Sequence, residues 1–174
     1  MRKILNLLLT LILLTAFSCS RDDDPERSGI ATIDNIRSPG TYAVIGFLFS
    51  EGKKVSKLDK PEPDITIDSD GTKLLFMTNN FKNSFYKEGE YNDAAAALAA
   101  FNALTSPVVP SEAWTGLASP LAENQIWIYR SGLDTYAKIR IISLIAEIRD
   151  GRDYAECTFE WEYQPDGTLT FPGK

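Results

Sequence analysis

Along most of the chain, apolar and polar positions alternate with a period of two, the signature of half-buried strands. Residues 42–49 are β-branched and aromatic and end in the turn residues Ser50, Glu51, Gly52 and Lys53. Residues 64–68 alternate, Asp70-Gly71 turns the chain, and residues 74–79 run back, which predicts a hairpin. The C-terminal third predicts strands over 125–130, 136–148, 155–164 and 168–171, joined by turns as an antiparallel meander. One segment has another period. Asn92-Asp93 stands before an alanine-rich run, so a capped helix is expected to extend to about Leu104, with Tyr91, Ala94, Leu98 and Phe101 as its apolar stripe. Residues 105–124 hold Pro107, Pro110, Gly116 and Pro120 and read as an irregular loop carrying Val108, Val109 and Trp114. With no internal repeat, heptad or βαβ spacing, the expected class is mostly β: an antiparallel sheet domain with one short Ala-rich helix.

Two strands carry finer information. In 136–148 the apolar set is Ala137, Ile139 and Ile141, then Ile142, Leu144, Ala146 and Ile148. A regular strand cannot keep both sets on one face, so a β-bulge or a change of packing partner is expected near 141–143. In 155–164 Ala155, Cys157, Phe159, Trp161 and Tyr163 share a face, where Cys157 reads as a small core residue. Glu156, Thr158, Glu160, Glu162 and Gln164 form the other face, which is expected to meet water.

The N-terminus reads as an address. Arg2 and Lys3 precede an apolar run from Ile4 to Phe17, too short for a comfortable span and suited to a secretory leader. Cys19 follows the small residue Ser18 where the run closes, as in a bacterial lipobox, so residues 1–18 are expected to be a lipoprotein signal peptide and Cys19 the lipid attachment site. Ser20-Arg21-Asp22-Asp23-Asp24 resembles the surface-export signal of Bacteroidota lipoproteins. Residues 19–38 read as a flexible tether that becomes ordered only near Ile33, and residues 39–174 as the β domain. The expected location is the outer membrane, lipid-anchored and exposed at the cell surface, with the membrane as a partner through that lipid.

Composition narrows the chemistry. The chain of 174 residues has no His, which removes Ser-His-Asp and Cys-His nucleophiles and histidine ligation of zinc or haem. Its net charge of −6 argues against nucleic acid as a partner. Glu156, Glu160 and Glu162 lie on one strand face, but nothing in the sequence builds a cleft around them, so they read as surface rather than as an acid–base pair. Asp68-Ser69-Asp70-Gly71 resembles part of a calcium loop without the glutamate that would complete it, and reads as a turn whose Asp side chains bond the local backbone. No metal site and no enzyme is expected. Phe81, Phe85, Tyr86, Tyr91 and Trp114 gather in or beside the irregular middle, where some are candidates to line a ligand pocket.

The order of motifs resembles the HmuY-like family of haem-binding surface lipoproteins. Residues 63–67, Pro-Asp-Ile-Thr-Ile, are similar to that family's Trp-Asp-Ile strand, and Phe76-Met77-Thr78-Asn79-Asn80 to its Arg-Thr-Asn segment. Residues 134–141 resemble its Tyr-Ala-Lys strand, and residues 158–167 its closing Phe-x-Tyr-x-Tyr-Gln-x-Asp-Gly hairpin. The resemblance implies a surface lipoprotein that captures haem or another hydrophobic small molecule, partnered by an outer-membrane receptor or a haem carrier. The alternative is a scaffold lipoprotein with a protein or glycan partner and no cofactor. Pro63 and Met77 replace the family's Trp and Arg. The family's axial ligands, paired His or paired Met, do not carry over, since Met77 is the one Met left after leader cleavage. The candidate ligand-binding residues are therefore Met77, Phe81, Phe85, Tyr86 and Trp114.

Overall fold

The computed structural model describes residues 26–38, 40–80 and 82–173. Its strands are β1 (Ser28–Asp34), β2 (Ile45–Leu48), β3 (Lys53–Ser56), β4 (Thr66–Ser69), β5 (Leu74–Met77), β6 (Phe85–Glu90), β7 (Gln125–Arg130), β8 (Tyr136–Arg149) and β9 (Arg152–Gln164), with one helix, α1 (Ala94–Ala103). A five-stranded antiparallel sheet runs in the order β1-β9-β8-β7-β6, beside two-stranded β2-β3 and β4-β5. The mostly β, antiparallel class with one helix is as the alternation implies.

The two short hairpins cover the front of the sheet. Phe47, Phe49, Ile65, Ile67, Leu74 and Phe76 meet Trp127, Ile139, Ile141, Cys157, Phe159 and Trp161 in one buried core. The ring of Phe47 stands edge-on to Phe159 at 5.5 Å and at 5.2 Å from Trp161, and each such buried ring is worth roughly 1.5–3 kcal/mol in area alone. Cys157 is a fully buried member of this core, and desolvation pushes its thiol well above the ordinary range.

The parity switch in β8 is a bulge. Ile139 faces Trp161 and Ile141 faces Phe159, but beyond the break Ser143 faces Thr158 and Leu144 faces Cys157. Ile142 is the extra residue, so odd positions meet the core before it and even positions after it. The bulge falls where the parity of the apolar set changes because burial of one face fixes register. Past Leu144 the strand is exposed, and the β8–β9 hairpin projects to a two-residue turn with positive φ at Asp150 (51°) and Gly151 (73°).

The back of the sheet corrects the sequence reading. The face with Glu160 and Glu162 does not meet water: Glu162 is 2% and Glu160 8% exposed. Each lies opposite a cation in register, Lys138 across from Glu162 and Arg140 across from Glu160. Lys138 Nζ is 3.1 Å from Glu162 Oε2, and Arg140 Nε and Nη2 reach Glu160 Oε2 at 3.0 and 2.9 Å. Neutralised in this way, the face can be covered, and α1 lies over it. Lys138 also donates to the carbonyls of Phe101 and Leu104, each at 3.0 Å, so its charge closes the helix C-terminus. Of the three glutamates only Glu156 remains partly open to solvent, hydrogen-bonded by the Tyr154 hydroxyl.

The helix begins as expected, with Asp93 Oδ1 accepting from the Ala96 N–H at 2.8 Å. Its buried face is Ala97 and Phe101 instead of the stripe through Ala94 and Leu98, and Leu98 is 40% exposed. Three boundaries also differ. The reading of 19–38 as tether fails from Ser28 onward, because β1 pairs along its whole length with β9; its modest hydrophobicity is enough for a strand that has a partner edge to add to. The strand expected over 42–49 is shorter, with the ladder confined to Ile45–Leu48 and a bridge at Val44. Residues 168–171 form no strand: Phe171 instead donates its N–H to the Thr105 carbonyl and packs with Trp114 and Ile128 behind the sheet. The leader, Cys19 and the acidic export motif lie outside the described residues.

Candidate functional site

The structure distributes the expected ligand residues over two faces. Phe85 is fully buried in the front core, 5.5 Å from the ring of Tyr129. Tyr86, the next residue of β6, points to the back, where its ring lies 6.3 Å from Trp114. Trp114 is itself buried under the Arg130 guanidinium, 4.5 Å from the ring centroid, with Tyr136 at 6.3 Å. These rings pack on one another and on Phe171. Met77 is separate: half-buried at the end of β5, it lines a cleft that none of the other three reaches. Phe81 lies outside the described residues.

That cleft, about 1070 Å³, is formed by residues 35–38 and 42–44, Lys57, the β4–β5 hairpin and the tip of the β8–β9 hairpin. Each wall has a local cause. Asp70 Oδ1 accepts from the N–H groups of Thr72 and Lys73 at 2.9 and 2.8 Å, the backbone-bonded turn expected of the Asp68–Gly71 sequence. Asn35 fastens the first wall to β9, donating to the Asp153 carbonyl and accepting from the Ala155 N–H, both at 3.0 Å. The Tyr42 N–H closes on the Ser38 carbonyl at 3.0 Å with φ of 55°, a left-handed conformation uncommon for an aromatic residue, and its side chain is 72% exposed.

The lining is chemically mixed. Ile36, Val44 and Met77 supply apolar surface, Tyr42 an aromatic one, and Arg37, Lys57, Arg149 and Arg152 bring positive charge beside Asp68, Asp150 and Asp153. Among these residues the Met77 thioether and the Tyr42 phenol are of the kinds that ligate haem iron. Sequence reasoning found Met77 alone. Arg37 was hidden in the expected tether and Tyr42 in an expected strand. Arg149 and Arg152 were legible as flanks of the Asp-Gly turn, but nothing local showed that the tip reaches the β4–β5 hairpin.

A second perturbed group lies deeper. Asp64 accepts from the Phe49 N–H at 2.9 Å and the Tyr129 hydroxyl at 3.2 Å. Burial raises its carboxyl to about 6, against the lowering effect of those two hydrogen bonds. Tyr129 also meets Thr78 and Asn80, at 3.4 and 3.3 Å, so this network ties the residues that follow β2, precede β4 and follow β5 to β7. No protein-family model matches the chain, and no curated protein does either.

Proposed function

We propose that this protein is a lipid-anchored, surface-exposed binding module of HmuY-like fold, not an enzyme, that takes up haem or a similarly flat hydrophobic small molecule through the cleft. The observation that carries the reading is that Met77 and Tyr42 line the same large cleft. Its volume, about 1070 Å³, lies just above the range of roughly 300–1,000 Å³ typical of small-molecule sites. The second reading, a protein or glycan partner without cofactor, draws on the uncovered end of the β8–β9 hairpin, where Ile148 is 66% exposed.

Haem in this reading is cargo, not a resident cofactor. With no His, its affinity comes from packing against the walls more than from iron. Bound iron is then five-coordinate, or carries Met77 or a Tyr with water opposite. The test is titration of the purified protein with haem and with iron-free porphyrin, followed by visible absorption and fluorescence. The expected result is saturable binding of both with similar affinity. A six-coordinate low-spin spectrum from the monomer, or a large loss of affinity without iron, overturns the packing account. No saturable binding of either compound moves the assignment to the protein or glycan partner.

A further inference from the structure

Among the described residues Arg130 lies over Trp114, and Arg27, Lys54 and Lys73 are exposed outside the cleft without an ion pair; the other cations form two groups. Lys53, Lys60, Lys82, Lys87, Lys138, Arg140 and Arg149 each stand against a carboxylate. Arg37, Lys57 and Arg152 line the cleft with exposed side chains that make no ion pair or hydrogen bond among the described residues. Lys54 stands beside Arg37 in the shallow depression adjoining the cleft. Carboxylates are present too: Asp68, which already accepts from the Ser69 N–H at 2.8 Å, and Asp150 and Asp153 near the hairpin tip. The lining carries four cations, Arg149 among them already paired with Glu147, and three carboxylates, in a chain of net charge −6. A surface so acidic overall repels anions at a distance; Arg37 and Arg152, and Lys57 with only a longer-range attraction to Glu62, line this mixed recess without an ion pair among the described residues, where a bound anion would meet them.

Resting on the cleft being the ligand site, we infer that it selects an apolar ligand by that ligand's carboxylates, and that Arg37, Lys57 and Arg152 are the groups that recognise them. The three come from separate walls: residues 35–38, the residue after β3, and the β8–β9 tip. They can therefore hold carboxylates that project from different points of one rigid plate while its apolar body meets Ile36, Val44 and Met77. Arginine suits this task because its planar donors match a carboxylate in pairs. Because the side chains are exposed, the selectivity is modest, about tenfold in affinity for the set.

The test compares iron-free protoporphyrin with its dimethyl ester, titrated by fluorescence into the full-length protein in detergent. The diacid is expected to bind about tenfold tighter at low salt, and added salt to erase most of that difference. In R37S/R152S the acid-to-ester affinity ratio should fall most of the way to one, with Lys57 supplying the remainder, and a wild-type circular-dichroism spectrum and urea midpoint report that the variant is folded. Lys57→Gln gives the same direction from a third wall. Equal binding of acid and ester by the wild type, or an unchanged acid-to-ester ratio in both variants, overturns the inference and leaves the cleft as an apolar site. Binding of neither compound removes the cleft reading itself and this inference with it.

Discussion

Replacing Lys138 by methionine is expected to destabilise the fold by about 3–5 kcal/mol, the usual cost of leaving one partner of a buried ion pair behind. Met has a similar length, so the loss is electrostatic more than steric. The ammonium group is fully buried, lies 3.1 Å from Glu162 and donates to the carbonyls of Phe101 and Leu104. Its removal strands the Glu162 carboxylate at 2% exposure and opens the end of α1 at once. Urea unfolding should show a lower midpoint with little change in slope. The double variant K138M/E162L should regain more than half of the loss, because it removes the uncompensated charge and retains only the two unmatched helix carbonyls. A single-variant loss below about 1 kcal/mol would mean that this pair does not hold the back layer in place.

Cys19→Ala is expected to change the protein's location outright. Under the lipoprotein reading the thiol of Cys19 is the acceptor for the lipid, and no other residue near the leader's end can replace it. The variant should lose acylation, keep its leader or be cleaved elsewhere, and leave the membrane fraction. Replacing Asp22, Asp23 and Asp24 by Ala should keep the lipid but remove exposure at the cell surface. Protease added to intact cells separates these outcomes: the wild type should be digested and the triple variant protected. Equal digestion of both would refute the export signal, and membrane retention of Cys19→Ala would refute the lipid anchor.

The strands of the C-terminal third were legible because burial of one face imposes alternation, and the break at Ile142 was legible because alternation there changes parity. The carboxylate face misled for the same reason. Glu160 and Glu162 look solvated until the register sets Arg140 and Lys138 opposite them, although the alternation of Lys138 and Arg140 with Ala137, Ile139 and Ile141 contains that pairing. Edge strand β1 was missed because a strand joining an existing edge needs little hydrophobicity of its own. Strand β6 was missed because Lys87, Glu88 and Gly89 break its pattern, and its ladder is irregular between Lys87 and Gly89. The cleft is a long-range object. Thr66 and Met77 are neighbours through a hairpin that the Asp-Gly turn announces, but Arg37 and Arg152 reach the same recess only through β1 and β9. Aromatic density in the sequence pointed to Tyr86 and Trp114, and those rings turn out to be packing for the back of the sheet.

Under the proposed function a flat apolar ligand occupies the cleft among residues 35–38 and 42–44, Lys57, and residues 66–69, 77–79 and 149–154. Backbone amide NMR of the protein titrated with iron-free protoporphyrin tests it most directly. The expected result is saturable shifts confined to those residues, with Tyr42, Met77 and Arg152 among the largest, and unmoved amides at Tyr86, Trp114 and Phe171. Shifts centred on Tyr86 and Trp114, or none at saturating porphyrin, would contradict it.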